Sequence, residues 1–143
     1  MLKRESGVEN PFELVCTIPH INEVETQNAA FHLFERAYHV FGEAKRVHDF
    51  KACCDETGIE EEDRVKRLGE LMNASHKSCD ELYECSSPEL NELTKMARDA
   101  GALGSRLTGA GWGGCCVSMV RKSEMADFIE KMMDYYTKER EMG

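Results

Sequence analysis

Apolar residues recur at helical spacing along most of the chain and give way to short continuous runs only after residue 103. From about Glu25 to Cys54, Ala30, Phe34, Ala37, Phe41 and Ala44 step by three and four, with Phe31, Tyr38 and Phe50 beside them. That spacing predicts a long amphipathic helix with this stripe buried. Gly58 and the acidic run Glu60-Glu-Glu-Asp63 interrupt the pattern, and the run reads as a solvated loop and a helix first turn, where negative charge suits the dipole. A second helix is predicted from Asp63 to Tyr83, with Val65, Leu68, Met72, Cys79 and Leu82 inward; Gly69 counts against it. Ser87 as N-cap, Pro88 at the first helical position and Gly101 as the stop frame a third helix with the stripe Leu90, Leu93, Ala97 and Ala100.

Two short strands follow, Gly104–Thr108 and Cys115–Val120, joined by a glycine-rich connection. Ser123 then reads as the cap of a last helix, whose Met125, Phe128, Ile129, Met132, Met133 and Tyr136 are expected in the core. Residues 1–24 hold Pro11 and Pro19, show no sustained period and form a leading segment, leaving 25–143 as the domain. The fold class is α+β, mainly helical with a small antiparallel sheet. Two strands are few for an independent sheet, and further strands are expected beyond those the pattern shows.

Composition narrows the function classes. At 143 residues the chain holds one domain with a core. A net charge of −9 and a pI near 5.1 argue against nucleic acid and anionic membranes as partners. No apolar run approaches the roughly 20 residues of a membrane span, and Met1-Leu-Lys-Arg-Glu-Ser6 lacks the apolar core of a signal peptide, so a cytoplasmic location is expected. The seven cysteines are odd in number, include two adjacent pairs and form no Cys-x-x-Cys set; they read as reduced, small apolar residues rather than metal ligands.

The most specific spelling is Gly104-Ser-Arg-Leu-Thr-Gly-Ala-Gly-Trp-Gly-Gly114, which puts five of the eleven glycines in eleven residues. Glycine permits positive φ and close approach of backbone N–H groups to an anion such as a phosphate. Gly109, Gly111 and Gly114 match the dinucleotide fingerprint on spelling, but a strand follows where that motif opens a helix. Gly104 and Gly109 fit the outer glycines of a Walker A loop, yet Ala110 stands where its lysine is required. A strand–loop–strand phosphate contact and a plain hairpin with bulges both remain.

Other candidates are weaker. His76, near Ser75 and Asp80, suits a general base, but a helical histidine held by hydrogen bonds is the simpler reading. His39 and His48 are too far apart along a helix to chelate. Arg36, Arg46 and Arg106 read as ion-pairing residues, with Arg106 the one placed to face the glycine loop. A phosphoryl-transfer site also needs charge neutralisation and a group that orients the attacking hydroxyl, and the sequence singles out neither.

Thr108-Gly-Ala-Gly-Trp-Gly-Gly114 resembles the third signature motif of the GHMP small-molecule kinases, the galacto-, homoserine, mevalonate and phosphomevalonate kinases. Arg36-Ala-Tyr-His-Val40 with Glu43 and Arg46-Val47, Leu68-Gly-Glu-Leu-Met-Asn-Ala-Ser-His76, Leu82-Tyr-Glu-Cys-Ser86 with Pro88-Glu-Leu90, and Gly104-Ser-Arg-Leu-Thr108 are similar to the galactokinase and N-acetylgalactosamine kinase branch. The resemblance spans roughly residues 28 to 136 and implies the family's C-terminal domain, of split βαβ, ferredoxin-like type, without its last strand. It implies ATP- and Mg²⁺-dependent phosphorylation of a sugar's anomeric hydroxyl, in a cleft shared with an N-terminal domain of the same kinase. Thr108, Gly109, Ala110, Gly111, Trp112, Gly113 and Gly114 are then the nucleotide-proximal residues. The family's sugar-binding motif, Ser-rich ATP loop and aspartate base have no counterpart here, so no catalytic or metal-binding residue is expected in the chain. It is expected to be inactive and ligand-free alone and to self-associate through exposed apolar surface or an open sheet edge. The alternative the resemblance leaves is a non-catalytic sugar sensor or regulatory module.

Overall fold

The computed structural model describes residues 32–142. The leading segment 1–24 and the predicted helical residues 25–31 lie outside them. The described elements run α1 Leu33–Asp55, α2 Glu61–Glu81, α3 Pro88–Asp99, β1 Gly104–Thr108, β2 Cys115–Met119, a 3-10 turn Lys122–Glu124 and α4 Met125–Met142.

Helix α2 is central to the described residues, packing against α1 on one side and β1 on the other. It begins as the acidic run predicts, with Glu60 at the N-cap and Glu61, Glu62 and Asp63 in the first turn. Gly69, which weakens the helix in isolation, is explained by packing. A Cβ there would stand 2.4 Å from the Leu103 carbonyl oxygen, and one on Gly104 would stand 2.5 Å from that of Gly69. Helix and strand backbones meet at two glycines because no side chain fits between them.

Helix α3 is bounded as expected. Ser87 Oγ accepts the Leu90 N–H at 3.2 Å. At the other end, Gly101 N–H reaches the Arg98 carbonyl (3.0 Å) and Ala102 N–H that of Ala97 (2.9 Å), with Gly101 at φ +117°. These are the paired bonds of a Schellman stop. Among the described residues, Leu90 and Leu107 join Cys79 and Cys85 in one buried cluster, and Thr94 and Ala97 are fully enclosed beside them.

The strands pair antiparallel in the register Gly104↔Met119 to Thr108↔Cys115. On β1 the N–H of Ser105 donates to Asn73 Oδ1 (3.0 Å) and that of Leu107 to His76 Nδ1 (3.2 Å). Side chains of α2 therefore occupy donors of β1 that a further strand would otherwise use.

Three expectations fail. On α1 the predicted stripe faces outward: Phe34 is 76% exposed, Phe41 65% and Tyr38 62%, whereas His39 and Cys53 are buried and Arg36, Glu43, Arg46 and Phe50 half-buried. The helix turns its polar side inward because α2 and the segment after it supply partners, Leu82 and Glu84 for Arg36, Ser78 for His39 and Ser75 for Glu43, while Arg46 pairs with Glu43 on the same helix. On α4, Met125, Ile129, Met133 and Tyr136 are exposed and, among the side chains described there, Phe128, Met132 and Tyr135 are partly covered, because the helix touches the described domain mainly along α3. Ser123 is not the cap of α4; it lies within the 3-10 turn, which closes through Glu124 N–H to the Arg121 carbonyl at 2.9 Å.

Candidate functional site

The connection 109–114 has an unusual backbone. Gly109, Gly111, Gly113 and Gly114 take φ of +85°, +86°, +136° and +91°, and Trp112 takes +55°, leaving Ala110 the one residue of the six without positive φ. The sign of φ changes at each step across 109–111, and alternation of this kind is one way a backbone builds an anion-binding concavity. A Cβ added at Gly109, Gly113 or Gly114 would meet nothing within 4 Å, so that stretch of backbone is open to an incoming group. Thr108 and Ala110 are also exposed.

One point of the loop is fixed. Trp112 N–H donates to the Cys85 carbonyl at 2.7 Å, and its indole Nε1–H donates to the Glu84 carbonyl at 3.1 Å. Gly111 packs so closely under this contact that a Cβ would lie 2.1 Å from the Cys85 oxygen. The indole remains 66% exposed. The loop is thus pinned at its middle to the segment after α2, with glycines free on either side.

That segment is itself held from α1. Arg36 donates to the Leu82 carbonyl and the Glu84 carboxylate, and its guanidinium lies 5.9 Å from the Tyr83 ring centroid. The hydrogen bond from Arg36 holds the Glu84 carboxyl below its usual range. Tyr83 stacks on His39 at 4.7 Å, and His39 Nδ1 sits 2.9 Å from Ser78 Oγ. Glu84 also has positive φ, +57°.

His76 is a structural node. Nδ1 accepts the Leu107 N–H, so in the neutral ring Nε2 carries the proton; it faces Thr94 Oγ1 at 3.0 Å and Asn91 Oδ1 at 3.1 Å. Both nitrogens are committed and burial lowers the pKa, so no free base is presented. Arg106 does not face the glycine loop. It lies between Thr108 and Gly104 on the strand and turns toward α1, with Nη1 3.5 Å from Glu43 Oε2. Burial pushes the Glu43 carboxyl upward, but the Ser75 hydroxyl (2.6 Å) and Arg46 (2.5 Å) hold it below its usual value. A recess between α1 and α2, walled by Val47, Phe50, Leu71 and Met72, shares no residue with the glycine loop.

Among the described residues no group of three or more His, Cys, Asp or Glu converges to hold a metal, and the six cysteines there are free thiols. Burial raises the Cys79 thiol to about 11, which keeps it protonated. No described helix is long and apolar enough to cross a membrane.

The family described as "GHMP kinases C terminal" matches residues 53–138, more than half of the chain and inclusive of the glycine loop. The chain belongs to this kinase family. Among its relatives, a galactokinase of Dictyostelium discoideum is 42% identical over 126 residues, 79% of the chain and 25% of the relative. A galactokinase of Saccharomyces cerevisiae is 48% identical over 89 residues, 62% of the chain and 17% of the relative. The crystal structure of Lactococcus lactis galactokinase complexed with galactose superposes with a TM-score of 0.63 at 28% identity, covering 91% of the chain and 31% of that structure. The chain therefore spans a quarter or less of the length of these two curated GHMP relatives. The likeness bears out the α+β fold class and the kinase family expected from the motifs.

Spacing alone does not reveal the residues that secure the loop. Arg36 and Glu84 are 48 positions apart, and Glu84 and Trp112 are 28 apart. A signal is present in the composition: the single tryptophan of the chain stands between glycines, where its bulk is useful only if something holds it.

Proposed function

We propose that this chain is the C-terminal domain of an ATP-dependent sugar 1-kinase acting on galactose or N-acetylgalactosamine, with Thr108, Gly109, Ala110, Gly111, Trp112, Gly113 and Gly114 beside the nucleotide. The observation that carries the reading is the 109–114 backbone, open on its glycine flanks and pinned at Trp112. Such a backbone approaches phosphate oxygens through N–H groups, which stabilise negative charge without a proton to lose. Its part is to bind and orient the phosphates; the group that accepts the sugar hydroxyl's proton and the N-terminal domain belong to the rest of the kinase. The Mg²⁺ of the reaction is assigned to the rest of the kinase, and no residue of this chain is named as its ligand. The chain alone binds no nucleotide productively and is inactive, and the full kinase is cytoplasmic.

The test is ATP consumption coupled to sugar phosphorylation, with galactose and with N-acetylgalactosamine, for the full-length kinase and for the 143-residue chain. Turnover by the full-length protein alone is expected. Turnover by the short chain at an ordinary enzymatic rate, about 1 per second or more, refutes its inactivity. A full-length protein that binds sugar and ATP yet turns over neither sugar is instead a sensor.

A further inference from the structure

We propose that Arg36 and Glu84 are positioning residues for the glycine loop, a clamp that sets where the Gly109–Gly114 backbone stands. The kinetic part of this proposal rests on the sugar-kinase reading above; the structural part does not.

Among the described residues, the two non-glycine residues with positive φ are Glu84 and Trp112, and they touch each other. Left-handed backbone costs an L-residue roughly 1–2 kcal/mol and persists only where surrounding contacts impose it. Here the contacts can be traced. Arg36 on α1 spans the Leu82 carbonyl and the Glu84 carboxylate. That pair fixes the turn after α2 from outside, while Cys85 N–H to the Cys79 carbonyl (2.9 Å) fixes it from inside. The turn then presents two consecutive carbonyls, Glu84 and Cys85, to the indole and backbone N–H groups of Trp112. Two acceptors on adjacent residues engaging two donors of one residue determine both position and rotation of the loop's midpoint.

The reach of the device matters. The partners of Arg36, the Leu82 carbonyl, the Glu84 carboxylate and the Tyr83 ring, all lie in the 82–85 turn, and through that turn its influence reaches the loop. A guanidinium suits this role because its planar fork serves a carbonyl and a carboxylate at once, which an ammonium does not do in fixed geometry. Glu84, with its side chain half exposed, has no packing reason to be anionic. Its carboxylate is explained by Arg36, and its backbone by Trp112.

The test uses the full-length kinase containing this chain. Hydrogen–deuterium exchange is followed in peptides covering 104–114 and, as controls, α2 and α3. Arg36→Ala and Glu84→Gln are expected to speed exchange at 109–114 about tenfold while leaving α3 protected, as loss of a local tether does. Arg36→Lys is expected to recover part of the protection. Trp112→Phe removes the indole donor, and Arg36→Ala should add little further loosening on top of it, because both changes open the same path. In steady state the nucleotide KM should rise several-fold with the sugar KM unchanged, whereas a general loss of fold lowers kcat and leaves both KM values alone.

Unchanged loop exchange in both Arg36→Ala and Glu84→Gln, or independent effects of Arg36→Ala and Trp112→Phe, overturns the clamp. If Arg36→Ala does not fold, the isosteric Glu84→Gln decides alone. A wild-type protein that phosphorylates neither sugar, but whose loop responds as described, sinks the kinase reading and leaves the clamp standing.

Discussion

Gly111 tolerates no side chain. Its φ of +86° already disfavours any L-residue, and a Cβ would lie 2.1 Å from the Cys85 oxygen. Gly111→Ala is therefore expected to cost at least about 1–2 kcal/mol in denaturant unfolding, and to displace Trp112 from Cys85, shifting its fluorescence. Gly109→Ala meets only the backbone penalty, because nothing stands within 4 Å, and should be the milder change by the same measurement. His76 supplies the pH response. Burial places its folded-state pKa below the ordinary 6.5, so on acidification the unfolded chain takes up the proton first. Stability present above about pH 6.5 is lost as pH falls toward the folded value, and protonation of Nδ1 removes the acceptor for Leu107 N–H. Denaturation midpoints should fall as the pH drops below about 6.5, and His76→Gln should flatten that slope. At this scale the run of glycines was legible in the sequence, since only positive φ or close approach asks for so many. The carbonyl that makes Gly111 irreplaceable was not, because it comes from Cys85, distant in the chain.

The elements were legible in proportion to how far their boundaries depend on local chemistry. Ser87, Pro88 and Gly101 frame α3 through contacts within a few residues, and the structure follows them. Ser87→Ala should lower stability by about 1 kcal/mol, read as a shift in the denaturation midpoint without a change in slope. Gly69 carries a different lesson. Propensity says alanine is better there by about 1 kcal/mol, but the Leu103 carbonyl is 2.4 Å from the Cβ position, so overpacking wins. Gly69→Ala is expected to destabilise by about 3 kcal/mol or more and to unsettle β1, with far-UV helicity of α2 retained. On α1 the period was readable and the polarity was not. Periodicity assigns the apolar stripe to the core by default, yet Arg36, His39 and Glu43 each find a partner on α2 or the turn after it, and Glu43 in turn pairs with Arg46, which offsets much of the cost of burying that side.

At the scale of the whole molecule, that inversion leaves Phe34, Tyr38, Val40, Phe41 and Val47 outward on one helix. Such a patch is expected to draw a partner. The 143-residue chain alone should form concentration-dependent oligomers in light scattering, and Phe41→Glu with Tyr38→Lys should return it toward monomer; monodisperse wild type at high concentration would disprove this. The contact is assigned to helix faces rather than β1, whose Ser105 and Leu107 donors are taken by Asn73 and His76. By itself the sequence determined the order of helices and strands, the kinase family and the glycine loop, because periodicity, caps and a glycine-dense motif are recorded within short stretches of chain. Tertiary structure decided which side of α1 is buried, why two glycines separate α2 from β1, and how the loop is held. Each of those depends on a carbonyl, a carboxylate or a ring brought from tens of residues away, whose presence no local pattern encodes.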